Sequence, residues 1–142
     1  MSDIVYVAVT SAPVDAIVEL YEAGGWWREG PAWRAVIPAM VRGSFCFLVA
    51  REPGGRIVGM GRVISDGVSD AYIQDVVVRA EMRGRGVGRE IVRRLTAHCI
   101  AAGISWIGLV AEPGTQGFYQ TLGYRAQAGF ELMLHEGGRD EQ

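Results

Sequence analysis

The segment that most constrains the fold is a run of β-branched residues leading into a loop rich in arginine and glycine. Residues 76–78 are all valine and favour a buried strand, and the loop at 83–88 precedes an amphipathic stretch. Glycines let a backbone approach a ligand closely, and the first N–H groups of a helix have no partner inside that helix. With the neighbouring guanidinium groups, these donors favour phosphate. The sequence therefore predicts a strand–loop–helix unit that binds a phosphorylated ligand.

Two common phosphate-binding loops do not fit this segment. A P-loop requires a lysine, and the chain has none, so all 14 of its basic residues are arginine. A dinucleotide loop, Gly-x-Gly-x-x-Gly, matches Gly84 and Gly86, but Arg89 occupies the third glycine position. A dinucleotide loop would also be expected after the first strand of the chain. The spacing that remains is Arg83-x-x-Gly86-x-Gly88.

This spacing, directly after a strand, resembles the pyrophosphate loop of the GNAT superfamily of N-acetyltransferases. Downstream, residues 117–124 (Gly-Phe-Tyr-Gln-Thr-Leu-Gly-Tyr) match the family's F-Y-x-x-x-G-[FY] signature, with a helix and an apolar strand between the two motifs. The resemblance covers residues 3–134. It implies a single-domain mixed α/β fold over residues 1–135, with a polar tail at 136–142. The expected sheet is open and mixed, has six to seven strands and about four helices, and splays between its fourth and fifth strands.

The resemblance also implies acetyl-CoA as the cosubstrate, bound in that splay. The loop amides would bind the pyrophosphate, the pantetheine arm would bond along the valine strand, and one strand N–H, that of Val76, would hold the thioester oxygen. Tyr119 occupies the family's acid position and would donate to the departing sulfur, although it could also simply pack against the cofactor. The residues that the resemblance assigns to acetyl-CoA are Val76, Val77, Val78, Arg83, Gly84, Arg85, Gly86, Val87, Gly88 and Tyr119.

The general base is where the chain departs from the family pattern. Many members carry a carboxylate or histidine two or four residues before the position of Val76, where this chain has Gln74 and Tyr72. Asp75 is a carboxylate, but strict alternation along a strand points it to the opposite face, unless a bulge re-aims it. Two interpretations are open. Either Asp75 or another acid works through water, or the amine arrives deprotonated and Gln74 orients it.

The acceptor pocket is expected to be built from the first two helices and their connection. Aromatic residues near a carboxylate can hold a cationic or aromatic amine, and they can equally pack helices onto a sheet. The candidates for acceptor binding are Glu22, Trp26, Trp27, Tyr72 and Gln74. The expected acceptor is a small-molecule primary amine attacked directly. A peptide or protein amine, another acyl chain, or an acyl-CoA sensor without turnover are the alternatives.

Charge and composition limit the kinds of ligand and partner that this chain is expected to bind. Residues 79–94 hold six arginines and two glutamates, a formal charge of +4 that leaves −6 on the rest of a chain whose total is −2. Such a single basic patch suits an anionic cofactor and argues against nucleic acid as a partner. Cys46 and Cys99 have no metal-ligand spacing, so buried thiols and no metal are expected. No signal peptide or membrane span is evident, which predicts a cytoplasmic protein, and a homodimer is open.

Hydrophobic periodicity predicts the elements. Helices are expected from Ser11 or Asp15 to about residue 24, from about residue 31 to 42, from 87 to 102 and from about 115 to 122. The third of these should bury a stripe of Val87, Ile91, Leu95, Cys99 and Ala102. Strands are expected at 3–9, 45–51, 56–65, 71–78 and 104–111, with closing strands at 124–134, and the 104–111 strand should be buried on both faces.

Overall fold

The computed structural model describes residues 3–27 and 30–136. Residues 137–142, most of the expected polar tail, lie outside this described part. The chain divides into two compact units, residues 1–109 and 110–142. The first unit contains β1 (Val5–Ala8), α1 (Val14–Ala23), α2 (Pro31–Gly43), β2 (Cys46–Arg51), β3 (Ile57–Ser65), β4 (Asp70–Val78), a 3₁₀ turn (Ala80–Met82), α3 (Val87–Ala101) and β5 (Trp106–Leu109). The second contains α4 (Gln116–Gln120).

The strands form one sheet in the order β1-β2-β3-β4-β5. The first three pairings are antiparallel, and β5 joins parallel to β4. The mixed, open sheet with four helices confirms the fold class predicted from the sequence.

Helix α3 covers one face of the sheet, as its apolar stripe predicts. Val87, Ile91, Leu95 and Cys99 are all buried. The fifth predicted member, Ala102, is exposed because the helix ends at Ala101. Two glycines of β3 make the close approach possible: a Cβ on Gly61 would lie 2.8 Å from the Ile91 side chain. Helices α1 and α2 cover the other face, where their apolar residues share a core with Met60 and Val77. The site must therefore use the part of the sheet that these two layers leave open.

Several boundaries differ from the sequence-based expectation. The sheet has five strands among the described residues rather than six to seven, because the structure assigns no strand to residues 124–134. The strand predicted to be buried on both faces is short, and its first residue, Trp106, is 51% exposed. That prediction was wrong because neither face of β5 is fully covered: its other three residues are only half-buried. The N-cap of α1 is Pro13, without a side-chain cap, so neither Ser11 nor Asp15 caps this helix.

The remaining compositional expectations concern thiols, metals and membranes. Cys46 and Cys99 are buried free thiols, as predicted. Within residues 3–27 and 30–136, no three His, Cys, Asp or Glu side chains are grouped to hold a metal ion. In the same ranges, no helix is both long enough and apolar enough to cross a bilayer.

Candidate active site

The carboxyl end of β4 has backbone donors that no described strand occupies. Pairing between β4 and β5 ends at Ile73 opposite Leu109, five residues before β4 itself ends. On the other edge, the Arg79 N–H donates to the Val58 oxygen at 2.8 Å. Alternation in an antiparallel pair then directs the N–H groups of Val76 and Val78 away from β3, toward the edge that β5 has left. This is the splay that the sequence predicts between the fourth and fifth strands.

The arginine–glycine loop continues from this edge into α3. Gly84 and Gly86 have φ of 78° and 81°, a region that side chains other than glycine rarely adopt. Gly86 is the N-cap of α3 and provides no side-chain acceptor. The first bond into the helix runs from the Glu90 N–H to the Gly86 oxygen, so the N–H groups of residues 87–89 precede the helical ladder. Loop and helix end thus present a row of backbone donors.

The arginines around the loop differ in how they are held. The guanidinium of Arg83 donates to the Val78 oxygen at 3.0 Å and to the Ala23 oxygen at 3.3 Å, tying the loop to β4 and α1. Arg79 is paired with Glu19. Arg93 and Arg94 both bond Glu90, whose pKa falls to about 2, chiefly through the bond from Arg93. The predicted basic patch is therefore partly neutralised by local ion pairs, and the exposed Arg85 adds charge at the loop itself.

Strand β4 contains a bulge immediately before the free edge. Met60 pairs with Val77 and Arg62 with Gln74, so one residue of β3 faces two residues of β4, Asp75 and Val76. Asp75 has a φ of 57° and is the one described residue other than glycine with positive φ. The extra residue breaks the strict alternation. As a result Asp75 faces the α1 side of the sheet, together with Gln74, rather than the side of α3.

Two side chains hold Asp75 in this position. Its Oδ2 atom accepts the Tyr21 hydroxyl at 2.7 Å and the Arg62 Nε at 2.8 Å. The Asp75 and Arg62 side chains are only 22% and 17% exposed. Burial first, and then the Asp75 carboxylate, raise the pKa of Tyr21 far above the usual range, so this phenol stays protonated and donates. We refer to Tyr21, Arg62 and Asp75 as the bulge cluster.

The other predicted acceptor residues separate into two groups. Trp26 and Trp27 pack against the core beside Tyr21, with ring centroids 6.3 and 6.5 Å from it, which matches the packing interpretation. Glu22 is exposed on α1. Tyr72 and Gln74 lie on the open part of β4, both exposed.

The structure adds one aromatic residue that sequence reasoning did not select. The Trp106 ring contacts the Tyr72 ring edge to face, with centroids 5.2 Å apart. The parallel register places Tyr72 directly opposite Gly108 and next to Trp106. An aromatic residue at the start of a short apolar run was the available signal, but the run was interpreted as buried strand.

Tyr119 lies in the second unit and is half-buried on α4. Its ring contacts Phe118 and Tyr124, with centroids 5.0 and 6.3 Å away. Burial raises the pKa of Tyr119, and Glu112 and Tyr124 raise it further. The phenol is therefore protonated at neutral pH, which is the form required of an acid or hydrogen-bond donor.

The family model described as "Acetyltransferase (GNAT) family" matches residues 13–124. This chain belongs to the GNAT acetyltransferase family. The match includes the loop of residues 83–88 and ends at the last residue of the Gly117–Tyr124 motif, so both motifs recognised in the sequence fall within it.

Sequence relatives share about half of this GNAT chain. It is 43% identical over 75 residues to serotonin N-acetyltransferase 2, chloroplastic, of Oryza sativa, covering 53% of this chain and 38% of the relative. It is 40% identical over 53 residues to glucosamine 6-phosphate N-acetyltransferase 1 of the same species, covering 37% and 32%. The chain thus spans less than half the length of these curated relatives. A solved GNAT-family structure from Xanthomonas campestris shares the fold, with a TM-score of 0.77, 24% identity and coverage of 94% and 95%.

Proposed function

We propose that this GNAT protein transfers acetyl from acetyl-CoA to a small-molecule primary amine by direct attack. The observation that carries the proposal is the free edge of β4, which is followed in the chain by a 3₁₀ turn, the arginine–glycine loop and the donors at the start of α3. A pantetheine arm can add to such an edge as an extra strand, and a pyrophosphate suits backbone N–H groups at a helix N-terminus. One ligand, coenzyme A, has both parts in this order.

The proposed reaction needs two proton movements, and one of them is assigned to a residue of this chain. The neutral amine nitrogen attacks the thioester carbon, and the carbon–sulfur bond breaks as the carbon–nitrogen bond forms. The Val76 N–H stabilises the carbonyl oxygen while it carries negative charge. The departing sulfur takes a proton from the Tyr119 hydroxyl, and the nitrogen releases its extra proton to water. The Tyr119 phenolate recovers a proton from water, which restores the hydroxyl for the next turnover.

We further propose that Asp75 positions the strand and that Gln74 orients the amine. The Oδ2 atom of Asp75 already accepts two hydrogen bonds, one of them from the Arg62 cation, so this oxygen is engaged in holding the strand. Gln74 is adjacent on the same face, and its amide oxygen can accept a hydrogen bond from a neutral amine. This favours the second of the two interpretations drawn from the sequence.

The proposal is tested by mixing the protein and acetyl-CoA with a panel of primary amines and measuring free thiol. We expect amine-dependent thiol release and an acetylated product detectable by mass spectrometry. A protein acting as an acyl-CoA sensor would bind coenzyme A in calorimetry and release no thiol above the buffer rate. Peptides with a free lysine in the same panel test the protein-acceptor alternative. Failure of both binding and release would overturn the assignment.

A matched pair of glycine substitutions tests the loop. Gly86→Ala and Gly103→Ala both place a side chain at positive φ, 81° and 88°, with no atom within 4 Å of the new Cβ. Each should therefore lower the free energy of unfolding by about 1 kcal/mol. Only Gly86 lies where the pyrophosphate would approach the backbone. We expect calorimetry to show coenzyme A affinity falling about tenfold, roughly 1.4 kcal/mol, in Gly86→Ala alone. Equal affinities in the two variants would remove the loop from the binding site.

Small-molecule acceptors are consistent with the names of the two rice relatives, which specify serotonin and glucosamine 6-phosphate. Those names describe different amines, one aromatic and one a phosphorylated sugar, so they do not select the acceptor of this chain. The cytoplasmic location expected from the sequence stays a prediction, as does a homodimer.

A further inference from the structure

The open part of the sheet next to the bulge cluster presents apolar side chains to solvent. Ile64, Tyr72 and Trp106 are 42%, 46% and 51% exposed. They come from three adjacent strands, and Tyr72 pairs directly with Ile64 across β3 and β4. We refer to these three residues, with Gly108, as the aromatic shelf.

The aromatic shelf lies on the acceptor side of the sheet. Residues directly opposite each other in a sheet share a face, and Gln74 is opposite Arg62, the member of the bulge cluster that donates to Asp75 on the α1 side. Tyr72 is two residues before Gln74 and so points the same way. On this face, the helices cover β4 at Val77 and Asp75, whereas Gln74 and Tyr72 are exposed.

Gly108 sets the position of the Trp106 ring. A Cβ at residue 108 would lie 2.8 Å from two atoms of the Trp106 six-membered ring and 3.6 Å from the Tyr72 ring. The indole therefore leans over the bare backbone of β5, toward the end of the β4–β5 pairing. The absence of a side chain at this position lets the two rings meet edge to face.

We propose that the aromatic shelf binds the aryl group of an arylalkylamine acceptor, a deepening that rests on the proposed acetyl transfer. The shelf begins about 13 Å along β4 from Val76, at a rise of 3.3 Å per residue, and Gln74 lies midway. An aryl ring on the shelf, with an amine on a short alkyl arm, would place the nitrogen beside Gln74, on the side of the thioester. Aromatic rings gain from edge-to-face contacts that saturated rings of similar size lack.

The continuity of the shelf with Gln74 and the free edge of β4 favours a small acceptor over a second copy of the chain. A dimer contact would use the apolar rings of the shelf but has no need of Gln74 or of the proposed acyl site beside them. An arylalkylamine, by contrast, uses the polar and apolar parts of this surface together. The rings supply apolar contact, and the Gln74 amide oxygen supplies an acceptor for the amine N–H.

The test compares 2-phenylethylamine with 2-cyclohexylethylamine, which have the same arm and different rings. In the thiol-release assay, we expect kcat/KM to favour the aromatic amine about five- to tenfold, as aromatic contacts of this kind allow. Trp106→Leu should bring the ratio close to one. Gly108→Ala keeps the indole but displaces it, so it should also reduce the ratio. Tyr6→Leu is the control: that ring packs under Arg94, away from the shelf, and the ratio should persist.

Saturation-transfer NMR with tryptamine and desulfo-CoA, a cofactor analogue that cannot react, makes the shelf testable without turnover. Saturation transfer to the indole protons of tryptamine that is lost in Trp106→Leu supports the proposal. It does so even if no amine is acetylated, and in that case only the proposed transfer reaction is wrong. Equal kcat/KM for the two amines, or tryptamine signals unchanged in Trp106→Leu, overturns it. So does a dimer in size-exclusion chromatography that dissociates in Trp106→Leu, since the shelf would then be covered by a second copy.

Discussion

Replacing Tyr119 with phenylalanine is expected to lower kcat for acetyl transfer by about 100-fold, the lower range for removal of a general acid. The substitution removes one hydroxyl and keeps the ring that contacts Phe118 and Tyr124. Because burial raises the pKa of Tyr119, the phenol is protonated at neutral and mildly alkaline pH. The loss should therefore be constant between roughly pH 7 and 9. Steady-state thiol release at saturating acetyl-CoA measures it.

Tyr124→Phe is the matched control for Tyr119→Phe. It removes the same group from a neighbouring ring in the same unit, and we expect kcat to change less than threefold (about 0.6 kcal/mol). Coenzyme A affinity in calorimetry should be similar in both variants. A Tyr119→Phe rate equal to that of the unmodified protein would show that Tyr119 packs and does not donate.

Replacing Asp75 with alanine should have the largest effect on stability, lowering the free energy of unfolding by about 3 kcal/mol. Two costs add: Arg62 loses the carboxylate that neutralises it in a half-buried site, and alanine must hold a positive φ that favours glycine, asparagine or aspartate. In thermal unfolding this corresponds to a decrease in Tm of about 10 °C. Acetyl transfer should fall too, because the bulge directs the Val76 N–H.

Two further variants separate the causes of this loss. Asp75→Gly removes the carboxylate but relieves the backbone, so it should be about 1 kcal/mol more stable than Asp75→Ala. Asp15→Ala removes the carboxylate of an exposed ion pair with Arg34 and should cost no more than about 0.5 kcal/mol. If Asp75→Ala were as mild as Asp15→Ala, the bulge cluster would have no structural role.

Elements whose structure depends on neighbouring residues in the chain were predicted well, and elements whose structure depends on distant contacts were not. The stripe of α3 and the glycines before it are consecutive features, so the strand–loop–helix unit was predicted close to its observed limits. The burial of β5 depends on which distant segments pack over its faces, and residues 104–111 do not indicate which segments those are. Trp106 was therefore assigned to a buried strand, although it is half-exposed beside Tyr72.

The sequence alone determined the family and was enough to propose the phosphate-binding loop and the acid, because each depends on residue types at short fixed spacings along one chain. Only the tertiary structure decided where the Asp75 side chain lies and what it contacts. Its conformation follows from a bulge against β3, and its partners, Tyr21 and Arg62, lie 54 and 13 residues away in the chain. The tertiary structure likewise decided which side chains stay exposed near the free edge of β4. These are the side chains that α1 and α2 do not cover, and that depends on packing between distant segments.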